Sequence, residues 1–250
     1  MHGGGARHGA AGRIAEGESI VIEPVSTNPI LVDAVHQRLM AAIIDCTLLP
    51  GQRILQAELA ASLGVSRAPV SHALQVLKHQ GLLRESGKKG LEVAPVDPAR
   101  VRDLYQVRAT LDALAARMAA ERSAAGALTD AEADMLRAAF NAGVGLGAET
   151  AMSKRVQADI DFHQAIYRIS GNDAIADALE PLWPHMQRAM VLVLEANKLR
   201  KQAWSQHRQI MEGIFRGDAG ASADAAYSHA AEAGAHTEER LRRAQDIRAD

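Results

Sequence analysis

Four side chains in the second half of the sequence are of types that bind divalent metal. Asp159 and His163 stand four apart in DIDFHQAIY, so on a helix both point to one face, as two ligands of one ion must. His207, in WSQHRQIMEGI, and His229, in AAYSHAAEAGAH, fall on later segments with helical patterning. One oxygen and three imidazoles suit a borderline divalent ion, zinc first with nickel or manganese as alternatives, and leave positions for water or a ligand. Asp161 is the competing carboxylate, but two residues from His163 it faces away on a helix. Spacing leaves a second reading open, in which each His is a capped or buried imidazole with no ion.

A second group of side chains is cationic and sits near the start. Between residues 53 and 89 there are six basic residues, Arg53, Arg67, Lys78, Arg84, Lys88 and Lys89, against the two acids Glu58 and Glu85, a net of +4. Residues 101–250 carry eighteen basic and twenty-one acidic residues, a net of −3. The formal charge of −2 over 250 residues is therefore an average of unlike parts. A basic surplus confined to one segment is what attraction to a polyanion requires.

The elements that must position these groups follow from periodicity and breakers. Residues 1–28 are Gly- and Ala-rich without periodicity and read as a flexible tail. From Pro29, the spacing of Leu31, Val35, Leu39 and Ile43 describes one helix face ending before Pro50-Gly51. A short helix over 57–63 stops at Gly64. Ser66 can cap a third, whose first turn tolerates Pro69 and whose inward stripe is Val70, Leu74 and Leu77. Two short extended runs, 82–85 and 91–96, joined by SGKKG, read as a hairpin with a basic tip. This is the outline of a winged helix-turn-helix over 29–97. Beyond Pro95 and Pro98 the patterning over 101–248 is helical throughout, broken at Gly126, at GVGLG (143–147), at Gly171-Asn172, at Pro181 to Pro184 and at Gly217 to Gly220. Six or seven helices in an antiparallel bundle are expected, making a mainly α protein.

Composition narrows the classes. Aromatics at 3% in a chain 48% hydrophobic argue for helices over β-sandwiches or barrels. One cysteine, Cys46, excludes an internal disulfide framework and a Cys-rich zinc module. No apolar run approaches the roughly 18 to 20 residues of a membrane span, and the opening MHGGGARHGAAGR lacks the apolar core of a secretory signal. A cytoplasmic protein is the expectation.

The run LLPGQRILQAELAASLGVSRAPVSHALQVLKHQGLL followed by SGKKGLEV resembles the DNA-binding domain of the GntR family of bacterial transcription regulators. The resemblance implies that Arg67 opens a recognition helix. There it can fork onto guanine O6 and N7, with Ser66 and Ser71 on phosphates and His72 and Arg53 nearby. Lys88 and Lys89 would lean on the minor groove or its phosphates. Many members read PVREAL where this chain has PVSHAL, which replaces a base-contacting Arg with Ser71 and should alter operator preference.

The patterns LYQVRATLDALAARMAAE, DIDFHQAIYRISGN and QHRQIMEGIFRGDAGASADAAYSHAAE are similar to the FCD effector-binding domain of the FadR subgroup of that family. Its metal-binding branch carries an Asp and three His, which fall on Asp159, His163, His207 and His229. The same resemblance implies a small carboxylate effector beside the metal, with Arg108 as its pocket arginine. A guanidinium buried in a bundle needs an anionic partner; a structural ion pair with Asp112 would satisfy it equally. Arg188, Asn197 and Trp204 fall on helices able to line the cavity.

The expectation is a DNA-binding transcriptional repressor. As a homodimer it would bind a pseudo-palindromic duplex operator, modulated by an organic acid held beside a divalent ion. Two other readings stay open: an effector-free nucleoid or scaffold-type DNA-binding dimer, and a metallohydrolase fused to a DNA-binding domain. The second lacks a general base of the HExxH kind beside His207 or His229.

Overall fold

In the computed structural model, residues 29–87, 90–147, 149–193 and 197–249 are described. The tail expected over 1–28 lies outside them. The first unit is built from α1 (Pro29–Ile44), β1 (Arg53–Ile54), α2 (Gln56–Leu63), α3 (Arg67–His79), β2 (Leu83–Ser86) and β3 (Gly90–Val93). The strands form one antiparallel sheet in the order β1-β3-β2, with Arg84 opposite Glu92 and Ile54 opposite Leu91. Val35, Leu39 and Ile43 of α1 and Val70, Leu74 and Leu77 of α3 are buried together, as their spacing requires, whereas Leu31 is exposed. Gly64 ends α2 in the left-handed conformation (φ 66°) that sets the angle between α2 and α3. Ser66 occupies the N-cap position of α3, but its side chain makes no capping hydrogen bond.

Asp97 caps the next helix through Ala99 N–H, and Pro98 occupies its first turn. The bundle then runs α4 (Pro98–Ala124), α5 (Asp130–Gly145), α6 (Met152–Ser170), α7 (Asp173–Leu179), a 3-10 turn (Glu180–Leu182), α8 (Trp183–Val193), α9 (Asn197–Arg216) and α10 (Ala219–Ala249). These are seven α-helices among the described residues. Thr129 and Glu132 form a capping box that starts α5. The GVGLG segment is only partly a break: α5 continues through Gly143, where an added Cβ would lie 1.8 Å from the Trp204 ring. Pro184 falls in the first turn of α8, where a missing N–H costs nothing.

The high alanine content has a packing role. Ala109, Ala115, Ala116, Ala119 and Ala120 of α4 and Ala223, Ala226 and Ala230 of α10 are all buried, and at Gly234 of α10 a Cβ would meet Tyr105 at 2.5 Å. Small residues let α10 run close along α4, a helix about 40 Å long at 1.5 Å per residue. Asp112, α6 and α9 are thereby held against one another at the bundle centre. Among the described residues no helix is long and apolar enough to cross a membrane.

Candidate metal centre and DNA-facing helix

The four expected ligands come together. Asp159 and His163 project from one face of α6, His207 from α9 and His229 from α10, and one ligand atom of each lies within 4.8 Å of the others. His207 Nε2 is 3.0 Å from His229 Nε2 and 3.4 Å from Asp159 Oδ1. Around an ion with bonds of about 2.1 Å, neighbouring ligand atoms stand about 3.0 to 3.4 Å apart and opposite ones about 4.2 Å. The separations of His207 Nε2 from His229 and from Asp159 are those of neighbouring ligands in such a shell. Asp161 is exposed and accepts from Gln157 Nε2 at 2.8 Å, pointing away as its phase on α6 requires.

Acceptors beside Nδ1 set which ring nitrogen faces the centre in His163 and His229, whereas His207 Nδ1 has no hydrogen-bond partner. His163 Nδ1 is 3.3 Å from Asp112 Oδ2, and His229 Nδ1 is 2.9 Å from Gln206 Oε1. An acceptor at Nδ1 places the proton there and leaves Nε2 as a bare lone pair. His163 Nε2 is buried with no hydrogen-bond partner, and Asp159 Oδ2 is likewise unpartnered. Buried lone pairs that converge without donors are the donor set of a divalent cation, so the residues fit the metal. Burial, and then the Arg108 guanidinium, hold all three imidazoles below their ordinary range, His229 at about 3, with neighbouring imidazoles adding to the effect at His163 and His207. They are neutral, as ligation demands. Burial pushes Asp159 up to about 6 against Arg108.

Outside this shell the support is layered. Asp112 accepts from Tyr167 Oη at 2.5 Å and from Arg108 Nε at 3.2 Å while facing His163. Gln206, which orients His229, donates through its amide to Glu232 at 2.7 Å. Phe162 stacks on His207 with ring centroids 4.4 Å apart. Asp112 and Tyr167 are each one turn from a residue singled out in the sequence, Arg108 and His163, and that spacing was the available signal for them. Gln206 carried none.

Arg108 is fully buried beside the centre, its Cζ 4.6 Å from the Trp183 ring centroid and its Nη2 3.9 Å from Asp159 Oδ2. Despite its burial, Asp112 foremost raises its basicity, so it is a permanent cation. The ion pair with Asp112 does form, but through Nε alone; Nη1 and Nη2 have no hydrogen-bond partner. Arg108 lines a cavity of about 130 Å³ bounded by α4, α6, α8, α9 and α10. Trp204 lines it too, as expected. Arg188 does not. Its guanidinium instead donates to the carbonyls of Ala94 (2.8 Å) and Pro95 (3.2 Å), where the chain leaves the wing. Asn197 begins α9, and its side chain lies outside the described residues.

On the first unit, Ser66, Arg67 and His72 are exposed at the start of α3, and Ser71 is half-buried. Arg53 is exposed on β1 and lies against Gly90 at the base of the wing. Lys88 and Lys89 lie outside the described residues.

A family model described as "Bacterial regulatory proteins, gntR family" matches residues 31–93, and one described as "FCD domain" matches residues 103–232. The chain belongs to the GntR family and carries an FCD domain. It is 31% identical over 189 residues to the uncharacterised HTH-type transcriptional regulator in the unstable DNA locus of Streptomyces ambofaciens, covering 74% of this chain and 75% of that one. Among solved structures it resembles a GntR regulator from Rhodococcus sp. RHA1 (TM-score 0.69, 20% identity, 82% of this chain and 96% of that one). It also resembles Escherichia coli McbR/YncC (TM-score 0.65, 19% identity, 84% and 97%). As a GntR-family member the protein is a DNA-binding transcription regulator and not an enzyme, which removes the metallohydrolase reading.

Proposed function

We propose that the protein is a repressor whose operator binding is weakened by a small organic acid held beside a divalent ion. The observation that carries this reading is Arg108, whose Nη1 and Nη2 have no hydrogen-bond partner, on the wall of a cavity that Asp159 and His229 of the four converging metal donors also line. Asp159, His163, His207 and His229 would hold the ion. When bound, it would supply a Lewis-acidic point for one carboxylate oxygen while Arg108 takes the other. Arg67, Ser66, Ser71 and His72 of α3, with Arg53, Lys88 and Lys89, would face duplex DNA. Arg67→Ala should cost about 1–3 kcal/mol of specific binding, as loss of one bidentate base contact does.

Helix α8 offers the route between the two sites. Trp183 at its start stacks on Arg108, and Met190 and Val193 near its end line the cavity. On the same helix His185 Nε2 is 2.9 Å from the carbonyl of Gln80, just past the end of α3, and Arg188 grips the exit from the wing. An acid that moves the Arg108–Trp183 stack therefore bears on the recognition helix. The test is affinity for an operator selected from random-sequence DNA, measured on metal-loaded protein with and without an acid that raises its melting temperature. The reading expects weakening of about 5- to 150-fold. An acid that binds yet leaves DNA affinity unchanged would overturn it.

A further inference from the structure

With a divalent ion bound, the cavity would carry more positive charge than a single carboxylate can answer. Resting on the reading above, the geometry points to a dicarboxylate effector with a short apolar body: Arg108 and the ion hold the inner carboxylate, and Arg155, at a second anionic subsite, holds the outer one. Arg155 stands one turn before Asp159 on α6, about 6 Å along the helix axis. It lines the same cavity; its Nε is buried without a hydrogen-bond partner, and it pairs with no carboxylate among the described residues. Arg240, also on the wall, spends one nitrogen on the carbonyl of Val193. The three guanidiniums that line the cavity are balanced by Asp159, Glu232 and the Asp112 paired with Arg108, so they leave no excess of their own. A divalent ion adds two more positive charges. One bound monoanion, held by Arg108 and the ion, would leave the buried Nε of Arg155 without a partner.

Size and wall chemistry limit what lies between the two acid groups. A volume of about 130 Å³ is slightly below that of a cavity that holds benzene, which admits a chain of about four to six carbons in all. Met152, Val156, Met190, Val193 and Trp204 make much of the cavity wall, so the body of the ligand should be methylene-like rather than polyhydroxylated.

The test is calorimetric titration of the zinc-loaded full chain with succinate, glutarate and adipate, alongside butyrate, hexanoate and benzoate. At least one diacid should bind about ten- to a hundredfold tighter than the monoacids, the range that one charge-assisted contact contributes. Arg155→Met should erase that advantage while leaving monoacid affinity within about twofold, and Arg155→Lys should keep part of it by retaining the charge. Benzoate or a simple monoacid binding as tightly as the best diacid would overturn the second subsite and leave the repressor reading standing. So would an R155M loss shared equally by both classes. Failure of every acid to bind would overturn both.

Discussion

Asp112 holds three side chains at once: it pairs with Arg108, accepts from Tyr167 and faces Nδ1 of His163. A carboxylate behind a ligating imidazole fixes its tautomer and raises its basicity. Asp112→Asn should therefore lower zinc affinity about 10- to 100-fold in competition with a chromogenic chelator, while Asp161→Asn leaves it unchanged. Equal affinity in the two variants would reduce Asp112 to the partner of Arg108 alone. The three buried imidazoles also set the acid response of the metal-free protein. Their native values lie below the ordinary 6.5, so as pH falls below about 6.5 the unfolded chain takes up protons first and stability drops. Asp159 has the opposite sign: its native value of about 6 is above the ordinary one, so protonation as pH falls through 6 gives back part of the loss. Burial raises Asp112 as well, so three imidazoles stand against two carboxylates, and the melting temperature without metal should fall between pH 7 and pH 5. A melting temperature that rises over that interval would contradict the buried neutral imidazoles. The ligand types were legible at this scale because Asp159 and His163 share a helix phase. The open nitrogens of Arg108 were not, since spacing cannot say how many of its five donors Asp112 satisfies.

Elements with strong periodicity were readable and those defined by a single contact were not. α1 and α3 sit where Val35, Leu39, Ile43, Val70, Leu74 and Leu77 placed them, and Gly64 stops α2 as expected. β1 has two residues, too few for any pattern, and exists through its pairing with β3. GVGLG looked like a break because two of its glycines fall within one turn. Gly143 instead is a helical position where the indole of Trp204 occupies the space a side chain would need. Gly143→Ala must push Trp204 away from Phe140, Phe162 and His207, with which its ring packs. It should cost about 1–3 kcal/mol by urea denaturation, despite the better helix propensity of alanine. A stabilised variant would mean that α5 yields without disturbing the cavity wall.

Over the whole molecule, charge is divided as function needs, with the basic surplus confined to residues 53–89 of the winged unit and the acidic excess on the bundle. Joining the two, α8 packs Trp183 on Arg108, lines the cavity with Met190 and Val193, and touches the DNA-binding unit at His185 and Arg188. Arg188 was expected in the pocket because helical phase cannot tell a cavity wall from a domain junction. Arg188→Met should leave acid binding intact by calorimetry but shrink the change in DNA affinity that the acid produces; an unchanged response would remove α8 from the route. Val107 and Leu114 lie seven apart on one face of α4 and are 49% and 40% exposed, which is where the homodimer expected from the sequence would find apolar surface to cover. Everything downstream depends on the ion, so the most direct measurement is calorimetric titration of zinc into chelator-stripped full chain. Wild type should bind one ion per chain, and the H207A/H229A double variant, with its helical content intact by circular dichroism, should bind none. Equal stoichiometry and affinity in the two proteins would contradict the metal centre.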